Sequence, residues 1–322
     1  MPTRPPSSPI HAHALPNVQR ATPLSYELAG AAVDAAPAGA WRRPRLAALW
    51  RRGDARAALC LLMALALAAL FAPWLAPHDP AAQLDLIALK HSAPSAAHPF
   101  GTDFYSRDVL SRMIYGTRVS LSIAILAMLL ATFIGTAYGL TAALAGRVTD
   151  ALLMRTVDAL LAIPRILMLL GVVALWGNLS VGALIIVIGL SGWFNSARLV
   201  RTQVLALRER DFVAAARGLG ARTSSIAVRH ILPHVASPVL VAATFGVGAA
   251  LVIEAGLSFL GFGVTEPDAS WGSILREGRD YPIGAWWVTV VPGAALVVTV
   301  LAVNVVADRL REIASGRHLP RP

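Results

Sequence analysis

The stretch RERDFVAAARGLGARTSSIAVRHILPHV, Arg208 to Val235, lies between two long apolar runs. A connector between two membrane spans needs only a few residues, yet this interval has amphipathic order. Phe212, Ala215, Ala216 and Leu219 fall at i, i+3, i+4 and i+7, one face of a helix, and Arg208, Arg210 and Arg217 lie mostly off it. Gly218 and Gly220 weaken that helix, and Gly220 suits the left-handed conformation that closes one. Thr223 is placed to N-cap a second short helix, which leads through Pro233 into the next apolar run. The expected product is a helix–turn–helix elbow at a membrane surface. Its small alanines favour close backbone approach to another protein; an amphipathic pair lying on lipid headgroups is the competing reading.

The surroundings agree with a membrane setting. Of 322 residues, 56% are hydrophobic and 14% charged, and the mean hydropathy is +0.62. Soluble domains carry roughly 25% charged residues, so the chain falls outside that class. The formal net charge is +10, and the single lysine is Lys90. The arginines flank apolar runs instead of forming one patch, which argues against nucleic acid. Cys60, the one cysteine, sits inside the first apolar run and reads as a small hydrophobe in lipid.

A spanning helix needs about 20 mostly apolar residues. Ala57–Pro77 qualifies as span 1, with Trp74 and the Pro73/Pro77 pair at its interfacial end, and Val119–Gly146 as span 2. Ala151–Ala197 is too long for one span and breaks at WGNLSVG (Trp176–Gly182), giving spans 3 and 4. Ile231–Ser258 is span 5, and Tyr281–Ala307 contains span 6. The fold class is therefore all-α, a polytopic membrane protein of six transmembrane helices with the elbow between spans 4 and 5. With the N-terminus in the cytoplasm, 19 basic residues near span ends fall inside and 6 outside, the bias expected of cytoplasmic loops. The elbow then faces the cytoplasm. Residues 1–50 read as a flexible cytoplasmic tail, 51–312 as the membrane domain with the elbow at 208–233, and 313–322 as a cytoplasmic C-terminal tail. A cleavable signal peptide fits badly, since the apolar run starts only near residue 57. On the outer side, RDVLSRMIYG (Arg107–Gly116) has the pattern of a short amphipathic helix.

Sites of chemistry are scarce. A P-loop needs a Gly-rich turn followed by Lys, and Lys90 follows DLIAL with no such turn. Gly218–Gly220 lacks the third glycine and the preceding strand of a dinucleotide fingerprint. His230 and His234 stand at i, i+4 with Pro233 between them and no third ligand nearby; His11 and His13 are no stronger, so no metal site is expected. Glu254 and Asp158 are the acids within apolar runs. Glu254, near the outer end of span 5 with Ser258 a turn beyond it, suits a substrate contact, an outer gate or a hydrogen-bonded structural acid. Asp158 is expected to pair with Arg155, and Asn304 in span 6 to bridge helices or line the path.

The interval DFVAAARGLGARTSSIAVRHILP (Asp211–Pro233) resembles the cytoplasmic loop of permease subunits of bacterial binding-protein-dependent ABC importers. That family's pattern is Glu-Ala-Ala, three residues, Gly, then about ten residues before Leu-Pro. Ala215, Ala216, Gly220, Leu232 and Pro233 match it, and Ala214 stands at the glutamate position. HPFGTDFYSRDVLSRMIYGTRVSL (His98–Leu121), EAGLSFLGFGV (Glu254–Val264) and WGSILREGRDY (Trp271–Tyr281) are similar to the dipeptide/oligopeptide/nickel branch, and the resemblance spans roughly residues 57–312.

The resemblance implies an importer of peptides or similar small solutes, with a nickel chelate or other non-peptide solute as the alternative. It implies a sister permease, two ATP-binding subunits and an outer solute-binding protein as partners. ATP and Mg would sit on the ATP-binding subunits, with no cofactor on this chain and no enzyme activity of its own. The coupling residues it implies are Phe212, Ala214, Ala215, Ala216, Arg217, Leu219, Gly220, Arg222 and Pro233, with Glu254, Ser258 and Asn304 toward the substrate path. An ion-coupled secondary transporter would need acids near the bilayer midplane, and Glu254 and Asp158 both lie near span ends. An intramembrane enzyme would need a catalytic constellation, and the spans hold no Ser/His/Asp set, HExxH or acid pair.

Overall fold

The computed structural model describes Trp50 and residues 52–177, 179–281 and 283–315. The tail expected before residue 50 lies outside these residues, as do His11 and His13, Asn178 of the expected break, and 316–322. Among the described residues every regular element is helical, and the single β-bridge is an isolated one between Thr102 and Asp108. In chain order the elements are α1 (Gly53–Leu70), α2 (Ala72–Leu75), α3 (Val109–Leu144), α4 (Arg147–Leu161), α5 (Arg165–Trp176) and α6 (Val181–Leu190). They continue with α7 (Trp193–Arg208), α8 (Asp211–Gly218), α9 (Thr223–Ile226), a π-helical turn (Ala227–Ile231), α10 (Leu232–Phe259), α11 (Trp271–Gly278) and α12 (Trp286–Ser315).

Four helical segments are long and apolar enough to cross a membrane: α1, α3, the continuous stretch Thr223–Phe259, and α12. Two bent pairs complete the count of six if each is one span: α4 with α5, bent by 79°, and α6 with α7, bent by 41°. The chain breaks where expected, between Trp176 and Val181, but each half is itself broken. Pro164 explains the sharper bend, since it disfavours helix at the residue before it and has no N–H to give the preceding turn. Arg165 ties the two bends together, donating from Nε to the Ser191 hydroxyl at 3.0 Å and from its terminal nitrogen to the Ile188 carbonyl at 2.9 Å.

α3 is the axis of the bundle. Its 36 residues reach about 54 Å at 1.5 Å per residue, and α1, α6, α7 and α10 all pack along it. Contact with α7 is intimate because Gly135 and Gly139 replace side chains there. A Cβ on Gly139 would stand 2.3 Å from the Ala197 carbonyl oxygen, so any larger residue would force the helices apart.

α3 also corrects two expectations. RDVLSRMIYG is no separate amphipathic helix; it is the first turns of α3, ten residues ahead of the expected start at Val119. Asp108 caps that start, accepting from the Ser111 N–H at 2.8 Å. Charge ended the apolar run in the sequence at Arg112 and Arg118, but charge does not end a helix.

Candidate functional site

One end of the bundle carries the elbow. α8 is seated by Val213, fully buried, in a cluster with Val200 and Val204 of α7, Ala143 of α3 and Ile231, Val235 and Val239 beyond the turn. Phe212 and Ala216 pack partly against that cluster, and the Phe212 ring stacks on His234 at 5.1 Å. The amphipathic face read from the sequence is therefore split. Phe212 and Ala216 turn inward with Val213, whereas Ala214, Ala215, Arg217 and Leu219 are exposed, Leu219 at 90%. Val213 was missed because counting i, i+3, i+4 and i+7 from Phe212 steps over it, whereas the inward side of α8 is Phe212, Val213 and Ala216.

The turn after α8 has the left-handed form expected of Gly220, at φ 79°. The Ala221 N–H donates to the Ala216 carbonyl at 3.1 Å and the Gly220 N–H to the Arg217 carbonyl at 2.9 Å. This pair of bonds is the Schellman arrangement, and it satisfies two carbonyls that the helix end would leave open. Arg222, not Thr223, holds the N-cap position of α9, and no side chain caps it; Thr223 is the first helical residue.

From Thr223 the backbone runs without interruption into α10. Pro233 has no N–H to return to the preceding turn, and the five residues before Leu232 widen into a π-helical turn. His230 and His234 do not converge on one ligand: the His234 ring bonds the His230 carbonyl at 2.7 Å. The elbow thus has one anchored arm, α8, and one arm continuous with a membrane-length helix.

The opposite end of the bundle is closed by the segments 76–108 and 260–285. Asp103, fully buried, accepts from the N–H groups of Tyr105 and Arg107 at 2.8 and 2.9 Å and from Arg107 Nε at 2.8 Å. Arg112, 2% exposed, donates to Asp103 and twice to Glu277, while Arg107 reaches Glu266 at 2.7 Å and Glu277 at 3.0 Å. Burial alone would lower the Arg107 pKa, but Glu277 and Asp103 outweigh it and hold the guanidinium charged, above its usual range. Two arginines so paired bind the start of α3 to α11. In the sequence Arg107 and Arg112 served only as topology markers; Asp103 is a near neighbour, but Glu266 and Glu277 lie 159 to 170 residues away, with no local signal to link them.

Below this network sits Glu254, 1% exposed. Its carboxylate accepts from the Ser120 hydroxyl of α3 at 3.0 Å and the Ser258 hydroxyl at 2.8 Å. Ser120 in turn accepts from the Trp271 N–H at 3.1 Å, and Ser258 from the Val264 N–H at 3.2 Å. Glu254 and Ser258 thus stitch α3, α10 and the entry to α11 together. Asn304 is half-buried on the seam of α12 with α10, opposite Gly248. Asp158 does not pair with Arg155: it lies 3.9 Å from Arg198 of α7, both exposed. Asp150 makes the tighter cross-link, accepting twice from Arg201 at 2.6 Å.

An all-helical membrane bundle with broken spans, one closed end and a protruding elbow at the other belongs to the class of multi-pass transport proteins. The profile of binding-protein-dependent transport system inner membrane components matches residues 135–317, and that of the N-terminal transmembrane domain of oligopeptide transport permease C matches residues 47–94. A protein of Brucella suis biovar 1 (strain 1330), provisionally named a peptide transport system permease protein, is 42% identical over 84% of this chain and 90% of its own length. The dipeptide transport system permease protein DppC of Alkalihalophilus pseudofirmus is 37% identical over 79% of this chain and 83% of its own. The chain belongs to the family of binding-protein-dependent transport system inner membrane components, the permeases of ABC importers. It is a multi-pass membrane protein, and its family is one of transport components, not enzymes.

Proposed function

We propose that this chain is the transmembrane permease subunit of an ABC importer for peptides, working with a sister permease, two ATP-binding subunits and an outer solute-binding protein. Both termini and the elbow face the cytoplasm, as the arginine distribution favours, and the network of Asp103, Arg107, Arg112 and Glu277 faces outward. The observation that carries the reading is the elbow's build: an exposed tip of Ala214, Ala215, Arg217 and Leu219 whose second arm is one piece with a span.

ATP and Mg belong to the partner subunits; this sequence has no P-loop. Ala214, Ala215, Arg217 and Leu219 form the surface offered to an ATP-binding subunit, with Gly220 and Arg222 shaping the turn. Phe212 and Ala216 seat it. Force on the tip passes through Pro233 into α10, since Thr223–Phe259 is 37 residues long and spans about 55 Å as a helix. The far end of that rod holds Glu254 and Ser258. Their hydrogen bonds to α3 and to the entry of α11 make them the groups through which a moving α10 would open or close the outer gate. Asn304 serves the α10–α12 seam.

The test is reconstitution of this chain with its sister permease and ATP-binding subunits in proteoliposomes, with loaded binding protein outside the transport path's entry. Labelled peptide should accumulate only with ATP. Hydrolysis by this chain purified alone, or ATP-independent uptake driven by a proton gradient, would remove the reading.

A further inference from the structure

At the closed end, three side chains converge. His78 follows α2, His98 lies in the segment before α3, and Asp108 is the N-cap of α3; each offers one ligand atom, and these lie within 4.8 Å of one another. His98 Nδ1 is 2.9 Å from Asp108 Oδ1, and His78 Nδ1 is 3.8 Å from Asp108 Oδ2. The two rings are 4.9 Å apart, tilted by 36°. Asp108 is fully buried and His98 nearly so.

A proton explains only part of this arrangement. Held on His98, it satisfies the bond to Asp108 Oδ1. His78 Nδ1 is then left buried without a hydrogen-bond partner, facing the same carboxylate across a gap too long for a hydrogen bond. The carboxylate itself is fixed from behind. Its Oδ2 accepts from the Ser111 N–H at 2.8 Å and the Ser111 hydroxyl at 2.7 Å, and that hydroxyl accepts from the His78 N–H at 3.1 Å.

We propose that His78, His98 and Asp108 form a zinc site, with one position left for water. Two imidazole nitrogens and a carboxylate suit Zn²⁺. Metal–ligand bonds of about 2.0–2.1 Å in a tetrahedron set ligand atoms roughly 3.3 Å apart; His98 approaches Oδ1 at 2.9 Å and His78 approaches Oδ2 at 3.8 Å, and all three candidate atoms lie within 4.8 Å of one another, so the His78 ring closes inward on the ion. The ion would take the place of the proton between His98 and Asp108, and that proton would leave to solvent. Ser111 supplies the outer hydrogen bonds that orient the carboxylate. His78 is the partly exposed member, which gives the ion a way in. Bound there, zinc would clip the exit of the first span to the start of α3 across 30 residues of chain. The sequence concealed the site, since its three members are separated by 20 and 10 residues.

The test uses the full chain in nanodiscs without a polyhistidine tag, dialysed against micromolar free zinc, with bound metal counted by mass spectrometry. The intact chain should hold one zinc and melt at a higher temperature with zinc than with a chelator. His78→Ala should lose both the metal and the shift while still folding, because the ring nitrogen it removes has no partner. His78→Cys should keep both, since a thiolate also ligates zinc. A double change at His230 and His234 should leave the count unchanged. No zinc on the intact chain, or equal zinc on His78→Ala, would overturn the site.

Discussion

Replacing Gly220 by valine separates backbone conformation from packing at the elbow. The residue sits at φ 79°, and a Cβ built there meets no atom within 4 Å. Valine therefore adds no clash; its cost is that of a β-branched residue in the left-handed region, about 1–3 kcal/mol. An undocked elbow can relieve that cost by leaving the turn, breaking the bonds from the Gly220 and Ala221 N–H groups to the end of α8. A partner that binds only the formed turn must restore it, so its apparent affinity should fall by the same energy, roughly 5- to 150-fold. Gly220→Asn is the control, because asparagine tolerates the left-handed region at lower cost. The assay is a titration of the ATP-binding subunit onto permease in nanodiscs, read as hydrolysis stimulated by loaded binding protein. Valine should shift the titration and asparagine should largely spare it, with the melting temperature of both near that of the parent. Identical titrations for valine, asparagine and parent would refute the argument.

Four other outcomes follow from the same geometry. Val213→Ala should loosen the seat of α8 by about 1.5 kcal/mol, the burial of two methylene equivalents, and lower stimulated hydrolysis while expression holds. Arg112→Met should leave Arg107 as the one arginine shared by Asp103 and Glu277, and the melting temperature should fall. Glu254→Gln retains a side chain able to bond Ser120 and Ser258, so uptake should stay near parental levels, whereas Glu254→Leu should depress both uptake and stability; loss of uptake in the glutamine variant with full stability would point to a solute contact instead. Burial and the neighbouring Lys90 hold the His91 pKa below its ordinary value. Since the unfolded chain then binds the extra proton first, this contribution to stability is present above pH ~6.5 and lost as pH falls through the lowered value; His91→Phe should flatten that part of the melting profile.

The elbow was legible because its signals are local: a helical period, a glycine at the stop, a proline before the next span. Gly220 has the conformation that its position required. The helix start at Asp108 was hidden by a rule that reads charge as the end of a span, although Arg112 is neutralised by Asp103 and Glu277 and costs the helix nothing. Breaks at Pro164 and Ser191 were hidden for the opposite reason: the apolar runs on either side outweigh Pro164 with Arg165, and Ser191 with Gly192, in any hydropathy average. At the closed end only the separate pieces were legible: it is assembled from 78–112, 254–277 and one serine of α3, contacts that only the folded bundle creates. Glu254 stood out as an intramembrane acid, but its bond to Ser120 of α3 is not visible from spacing.

The central claim is that the tip of the elbow meets an ATP-binding subunit. Leu219, 90% exposed, is the position to probe, in a chain whose only native thiol, Cys60, has been changed to serine. Leu219→Cys carrying a short photoreactive crosslinker should, in the assembled complex, attach to the ATP-binding subunit, with a yield that changes when ATP is bound. Attachment to lipid alone, with the ATP-binding subunit present and active in the same sample, would contradict it and leave the interval as a helix pair resting on the membrane.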